Sequence, residues 1–160
     1  MSRPEVITKA SVLAAHIDSL IADIQIANGY ETDIGLRHFR GRLKIDDGQV
    51  PCAVLIEGED RPGDQSGRDA LKITQDYVIG GYVRCDPDHP NDAAHSVIRD
   101  IKRALFKNAP NGMLGQQNFD GRVHRVRYVG RDIGPRADGM PIVYAIVHIE
   151  VDYAETLANP

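Results

Sequence analysis

Pro141-Ile142-Val143-Tyr144-Ala145-Ile146-Val147-His148-Ile149-Glu150-Val151-Asp152-Tyr153 alternates between two faces from end to end. Val143, Ala145, Val147, Ile149, Val151 and Tyr153 fall on one side. Tyr144, Ile146, His148, Glu150 and Asp152 fall on the other. Successive strand side chains point to opposite faces, so this period of two predicts a long strand with one packed face and one wetter face. Pro141 suits the first position of such a strand, where no ladder donor is needed. A strand of this length needs neighbours, and the rest of the chain supplies them.

Working backwards, Gly134 to Gly139 connects it to a second alternating run, Arg122 to Ile133. There His124, Val126 and Tyr128 share one side, and Val123, Arg125, Arg127 and Val129 the other. Asp120-Gly121 is a turn, and a Gly/Asn/Gln-rich stretch leads back to Ala109-Pro110-Asn111-Gly112, a helix stop. The helix before it carries Ala94, Val97, Ile98, Ile101, Ala104 and Leu105 at three- and four-residue spacing, one buried stripe. Lys102, Arg103 and Lys107 lie near its C-terminal end, where cations suit the helix dipole. Asp86-Pro87-Asp88-His89-Pro90 separates that helix from a strand running from about Leu71 to Cys85. Ile73, Tyr77, Ile79 and Val83 share one face of this strand, and Gly80-Gly81 predicts a bulge or bend.

The first third of the chain has the same grammar. Ala10, Leu13, Ala14, Ile17, Leu20, Ile21 and Ile24 form one apolar stripe, and Pro4 with Ser2 offers an N-terminal cap. The pattern predicts a helix of about six turns that stops at Asn28-Gly29, a pair that tolerates φ > 0. Gly35 to Leu43 reads as a strand carrying Arg37, Arg40 and Arg42. Asp46-Asp47-Gly48 is a turn. Pro51 opens an unbroken apolar run, Cys52 to Ile56, the mark of a strand covered on both faces. Residues 57–70 are polar and contain Gly58, Pro62, Gly63 and Gly67, so they read as a long loop. Residues 154–160 read as a C-terminal tail. The sum is a single α+β domain over 1–160: an antiparallel or mixed β-sheet with two main helices packed on one face, in the order α-β-β-β-α-β-β.

Composition narrows the function classes. The chain is 42% apolar and 26% charged, ordinary for a globular protein, and its net charge of −4 provides no global field for nucleic acid. Aromatics are 6%, too sparse for a stacking platform. Arg outnumbers Lys by 14 to 5. That excess fits either interface and phosphate chemistry or a GC-rich coding bias. Cys52 and Cys85 are far apart and read as buried free thiols. The N-terminus lacks the layout of a signal peptide, and no apolar run approaches the ~20 residues that span a bilayer. The expectation is a protein with no membrane association, folded in a reducing cytoplasm.

No established catalytic motif emerges. His89 and His95 with Asp86, Asp88 and Asp92 offer metal-ligand types, but at no known ligand spacing; Asp and Pro before a helix serve capping equally well. Ser66 lies between Gln65 and Gly67, without the Gly-x-Ser-x-Gly elbow that a nucleophilic serine of that type requires. No glycine run has the Lys-Ser/Thr partner of a phosphate loop. The expectation is a non-enzyme with no metal or cofactor. The one basic cluster is Arg122, Arg125, Arg127, Arg131 and Arg136. Three roles stay open for it: phosphate contact in a DNA channel, pairing with Glu57, Glu59, Asp60 and Asp64 of a neighbouring subunit, or a solvated strand face.

Three segments carry a family resemblance. They are Ile26-Ala27-Asn28-Gly29-Tyr30-Glu31-Thr32-Asp33-Ile34-Gly35, then Gly41-Arg42 with Val50-Pro51-Cys52-Ala53-Val54-Leu55-Ile56-Glu57-Gly58, and the Pro141–Tyr153 strand. Together they resemble the small tail terminator proteins of long-tailed bacteriophages, also called tail completion or minor tail proteins. The resemblance implies a hexameric ring that caps the tail tube, stops its polymerisation and joins a head-completion or connector protein. It implies residence in the virion, at the tail or neck, after assembly in the host cytoplasm. The partners implied are further copies of the chain, the tube protein and the head-side protein, with sequence-independent DNA contact possible in the lumen. The five arginines and four acids named above become subunit-interface or lumen candidates. A head–tail connector is the alternative of the same class. A small hydrolase or a nucleic-acid-binding module is a more distant one.

Overall fold

The computed structural model describes residues 8–64 and 69–160. Its elements are α1 (Lys9–Ala22), β1 (His38–Arg40), β2 (Cys52–Pro62), β3 (Ala70–Arg84), α2 (Pro90–Phe106), β4 (Arg125–Ile133) and β5 (Ile142–Thr156), with short 3₁₀ turns between them. The five strands form one mixed sheet in the order β1-β2-β3-β5-β4. β1 runs parallel to β2, and the other neighbours are antiparallel. The fold is therefore the expected α+β class with the expected element order.

β5 lies beside β3, fully in register from Ala70↔Thr156 to Arg84↔Ile142. Its Val143, Ala145, Val147, Ile149, Val151 and Tyr153 are all buried, in one core with Leu13, Ile17 and Ile21 of α1 and Val97, Ile101 and Leu105 of α2. Both helices thus cover the same sheet face. Full burial of each such side chain contributes about 1.5–3 kcal/mol, which is why the alternation dictates the layering. β2 is buried on both faces from Cys52 to Leu55, as its unbroken apolar run implies.

The structure corrects several boundaries. α1 ends at Ala22 rather than at Asn28, and its cap is Thr8, whose hydroxyl accepts from the Ser11 amide at 3.2 Å. Ser2 and Pro4 lie outside the described residues. The early stop has a steric cause. Gly35 passes so close to the helix end that a Cβ there would lie 2.4 Å from the Ile21 carbonyl oxygen and 2.7 Å from those of Ala22 and Ile24. The Gly35 amide donates to Ile24 O at 2.8 Å. Asn28-Gly29 instead closes a 3₁₀ turn, with Gly29 at φ 88°.

The first strand is only His38–Arg40, because Ile34–Leu36 forms a 3₁₀ turn. Residues 57–62 continue β2 and are no loop, and β5 continues through residues 154–156 of the expected tail. In both places the long partner β3 supplies ladder bonds to a polar segment. Gly80-Gly81 makes no bulge: both pair regularly on each side. They are small because each face is crowded. A Cβ on Gly80 would meet the Tyr144 ring at 2.4 Å, and one on Gly81 would meet Val97 Cγ1 at 2.7 Å. The sheet's irregularities lie elsewhere, between Glu57 and Asp60 on β2 and between Tyr128 and Gly130 on β4.

Candidate functional site

The face of the sheet opposite the helices is where the chemistry collects. At one end it is aromatic: Tyr82 and Tyr144 stack with ring centroids 4.3 Å apart. At the other end it is ionic. Asp76 of β3 stands directly across from Glu150 of β5, and Thr74 across from Asp152. Like charges in directly opposed strand positions repel. Here two guanidiniums bridge them. Arg61 of β2 reaches Asp76 at 2.6 Å and Glu150 at 2.9 Å. Arg127 of β4 reaches Glu150 at 2.8 Å and Asp152 at 2.5 Å. The result is an ion-pair ladder across β2, β3, β5 and β4.

Asp152 is its most enclosed member, with a side chain only 3% exposed. The Thr74 hydroxyl donates to it at 2.7 Å, and the Lys72 ammonium lies 3.7 Å away. Burial alone pushes this carboxyl upward. The hydrogen bonds from Arg127 and Thr74, with the charges of Arg127 and Lys72, outweigh that and hold it below its ordinary value. Arg127 is raised in turn, chiefly by its hydrogen bond to Asp152.

The five arginines expected as one cluster are not brought together. Arg125 and Arg127 share the open face, across from Asp152 and Glu150. The irregularity at Tyr128/Gly130 then turns the strand, and Arg131 falls on the helix side, its Nη1 3.0 Å from His95 Nδ1 of α2. Arg122 precedes β4 and donates to the Phe119 carbonyl at 3.2 Å. Arg136 donates to the carbonyls of Met140 at 2.6 Å and Pro87 at 3.4 Å, fastening the β4–β5 connection to the segment before α2. Of the acids, Glu57 lies 3.6 Å from Arg40 of the same chain. Glu59 and Asp60 are exposed on β2 and make no ion pair among the described residues. Asp64 follows β2 and is exposed.

Of the ladder, Arg127 was a candidate from the sequence, while Arg61, Lys72, Asp76, Glu150 and Asp152 were not. Part of the ladder was within reach. A short connection makes β4 and β5 antiparallel neighbours, which sets arginines at 125 and 127 against acids at 150 and 152. The Arg61 and Asp76 contributions depend on β3 lying between β2 and β5, an order that the chain does not announce.

A second feature follows the outer edge of β4. A groove of about 670 Å³ runs between that edge and the C-terminal half of α2. Phe106, Val126 and Tyr128 give it apolar walls, and Lys102, Arg103, Lys107 and Arg125 give it positive charge. The Lys102 ammonium sits 4.5 Å from the centre of the Tyr128 ring. Arg103 and Lys107 are already engaged, with Gly29 O at 2.7 Å and Asp23 at 3.2 Å.

The remaining candidates stay apart. No group of three or more His, Cys, Asp or Glu residues suited to a metal ion occurs among the described residues. Asp92 lies in the first turn of α2, and Pro90 is at its start. Ser66 lies outside the described residues. Cys52 is fully buried, and burial pushes its thiol up to about 11, so it is an unreactive core group. Cys85 is only partly buried. No helix among the described residues is long and apolar enough to cross a membrane.

With this architecture in hand, comparison with known proteins is informative at the level of fold. No protein-family model matches the chain, and no curated protein matches it in sequence. A solved structure does match in fold: a chain from the virion of a native gene transfer agent particle, at a TM-score of 0.56 and 10% identity. The match covers 89% of this chain and 95% of that one. The two share a fold over almost their whole lengths.

Proposed function

We propose that this chain is a structural virion protein that forms a closed ring at the end of a tail tube, ends tube growth and joins the tube to the head. The fold match to a chain of a gene transfer agent virion carries this reading, because it accounts for nearly all of both chains. The three segments that resemble tail terminators agree with it, and so does the distribution of charge. The polar side chains are spent on strand-to-strand pairing and exposed edges, which suits assembly. On this reading the protein works without catalysis or cofactor. A ring seated on the terminal tube layer occupies the surface the next layer would use.

Polymerising purified tube protein with and without this chain tests the role. A terminator narrows the tube-length distribution and leaves a ring on one tip in negative-stain micrographs. An unchanged distribution, with binding only to the head side, would assign the chain to the connector instead.

A further inference from the structure

About half of the charges on the sheet form ion pairs inside the chain. Among those that form none with the described residues, two groups lie at opposite edges of the sheet. β1 pairs with β2 only at Ala53–Leu55, and beyond that point no described strand pairs with the outer edge of β2. It presents Glu59 and Asp60, exposed and free of ion pairs among the described residues. At the other end of the sheet, β4 is the last strand. There Arg125 and Lys102 border the groove, and Arg131 lies against His95, all three without an acidic partner among the described residues. The contrast with the satisfied ladder between these edges is what gives the two groups meaning. An acid pair stands on one side and three cations on the other, beside Asp132, whose carboxylate accepts from the Ile133 amide at 2.8 Å.

We propose that the acidic outer edge of β2 in one copy docks side-on against the basic β4–α2 groove of the next copy. Two different patches meet, so the contact is heterologous, and it repeats until rotation closes a ring. Side chains make the contact. Both edges carry a strand irregularity, which disfavours continuous ladder pairing between chains. This inference rests on the ring reading above and supplies its subunit interface. The partner is a second copy because the complementary charges belong to one chain and sit too far around the sheet to meet within it.

Charge swapping tests it by native mass in solution. E59K/D60K gives two basic edges, and K102E/R125E/R131E gives two acidic ones. Each variant alone should lose assembly by about a hundredfold or more in midpoint concentration, since like charges then face each other. Mixing the two variants, or combining all five changes in one chain, restores complementarity and should restore the oligomer. Each variant must also unfold at the wild-type urea midpoint, because all five positions lie on the surface or in a groove wall. Wild-type assembly by either single set, absence of rescue in the mixture, or a wild-type chain that remains monomeric overturns the proposal. Loss of DNA binding in the groove variant with assembly intact also overturns it, and makes the groove a nucleic-acid face. Rings that form as described but leave tube length unchanged would sink the terminator role and leave this interface standing.

Discussion

The two faces of this sheet are built on opposite principles. The helix-covered face is close-packed and apolar, and its tightest positions have no slack: Gly81 lies beneath Val97, and Gly35 lies against the end of α1. The open face is held by pairs of opposite charge that cross four strands. On the first, volume decides what fits. On the second, partnership decides. Burial without a partner is costly for a carboxylate, whereas a side chain in a full core has no room for even one added carbon. The lesson is that the open face can be rewritten, provided that charges are replaced in matched sets. The helix face cannot.

The largest effect should come from the helix face. Gly35→Ala places a Cβ against three backbone carbonyl oxygens that cannot swing away. A loss of about 3 kcal/mol or more is expected, read as a shift in the urea midpoint. A midpoint within error of wild type would show that the α1 end has freedom the packing denies. On the open face, Arg127→Ala strips Asp152 of its main partner and should cost about 2 kcal/mol, less than a fully buried pair would because Lys72 and Thr74 remain. Replacing Arg127, Glu150 and Asp152 together by apolar residues of similar size should cost less than Arg127→Ala alone, and the reverse order would break the distinction between the two faces.

The smallest effect is in pH. Asp152 is held below the ordinary aspartate value in the folded chain and returns to that ordinary value when unfolded. Its stabilisation is therefore complete above this range and is lost as pH falls towards the folded value. Wild type should weaken as pH falls through and below the ordinary carboxylate range, and Asp152→Asn should lose less over the same interval. Parallel pH profiles in the two proteins would remove Asp152 from that account.

These faces also differ in how readable they were. The helix face follows from period alone: alternation in 141–153 and three-four spacing in 94–105 assign every buried apolar position on β5 and α2, while the buried Asp100 and Asp152 stand outside both patterns. The α1 stop was not readable, because its cause is Gly35, a residue more than ten positions downstream that meets the helix only in the fold. The continuation of β2 through Glu57–Pro62 was hidden for a related reason. Its polar residues and glycines look like a loop, and only the length of β3 beside them makes a strand of them. Of the site, the arginines at 125 and 127 and the acids at 150 and 152 were within reach through the short β4–β5 connection, whereas the Arg61 and Asp76 contributions depend on the strand order. Arg131 and Arg136 belong to the same stretch of sequence, yet the irregularity at Tyr128/Gly130 and the connection after Ile133 send them elsewhere.

The measurement that bears most directly on the central claim, that this protein works by assembling with itself, is the native mass of the wild-type chain by sedimentation across a wide concentration range at low and high salt. The account predicts one closed species, a hexamer on the terminator resemblance, that dissociates more readily as salt screens the edge charges. A monomer at every concentration, or an open-ended series of sizes with no preferred closed form, would contradict it.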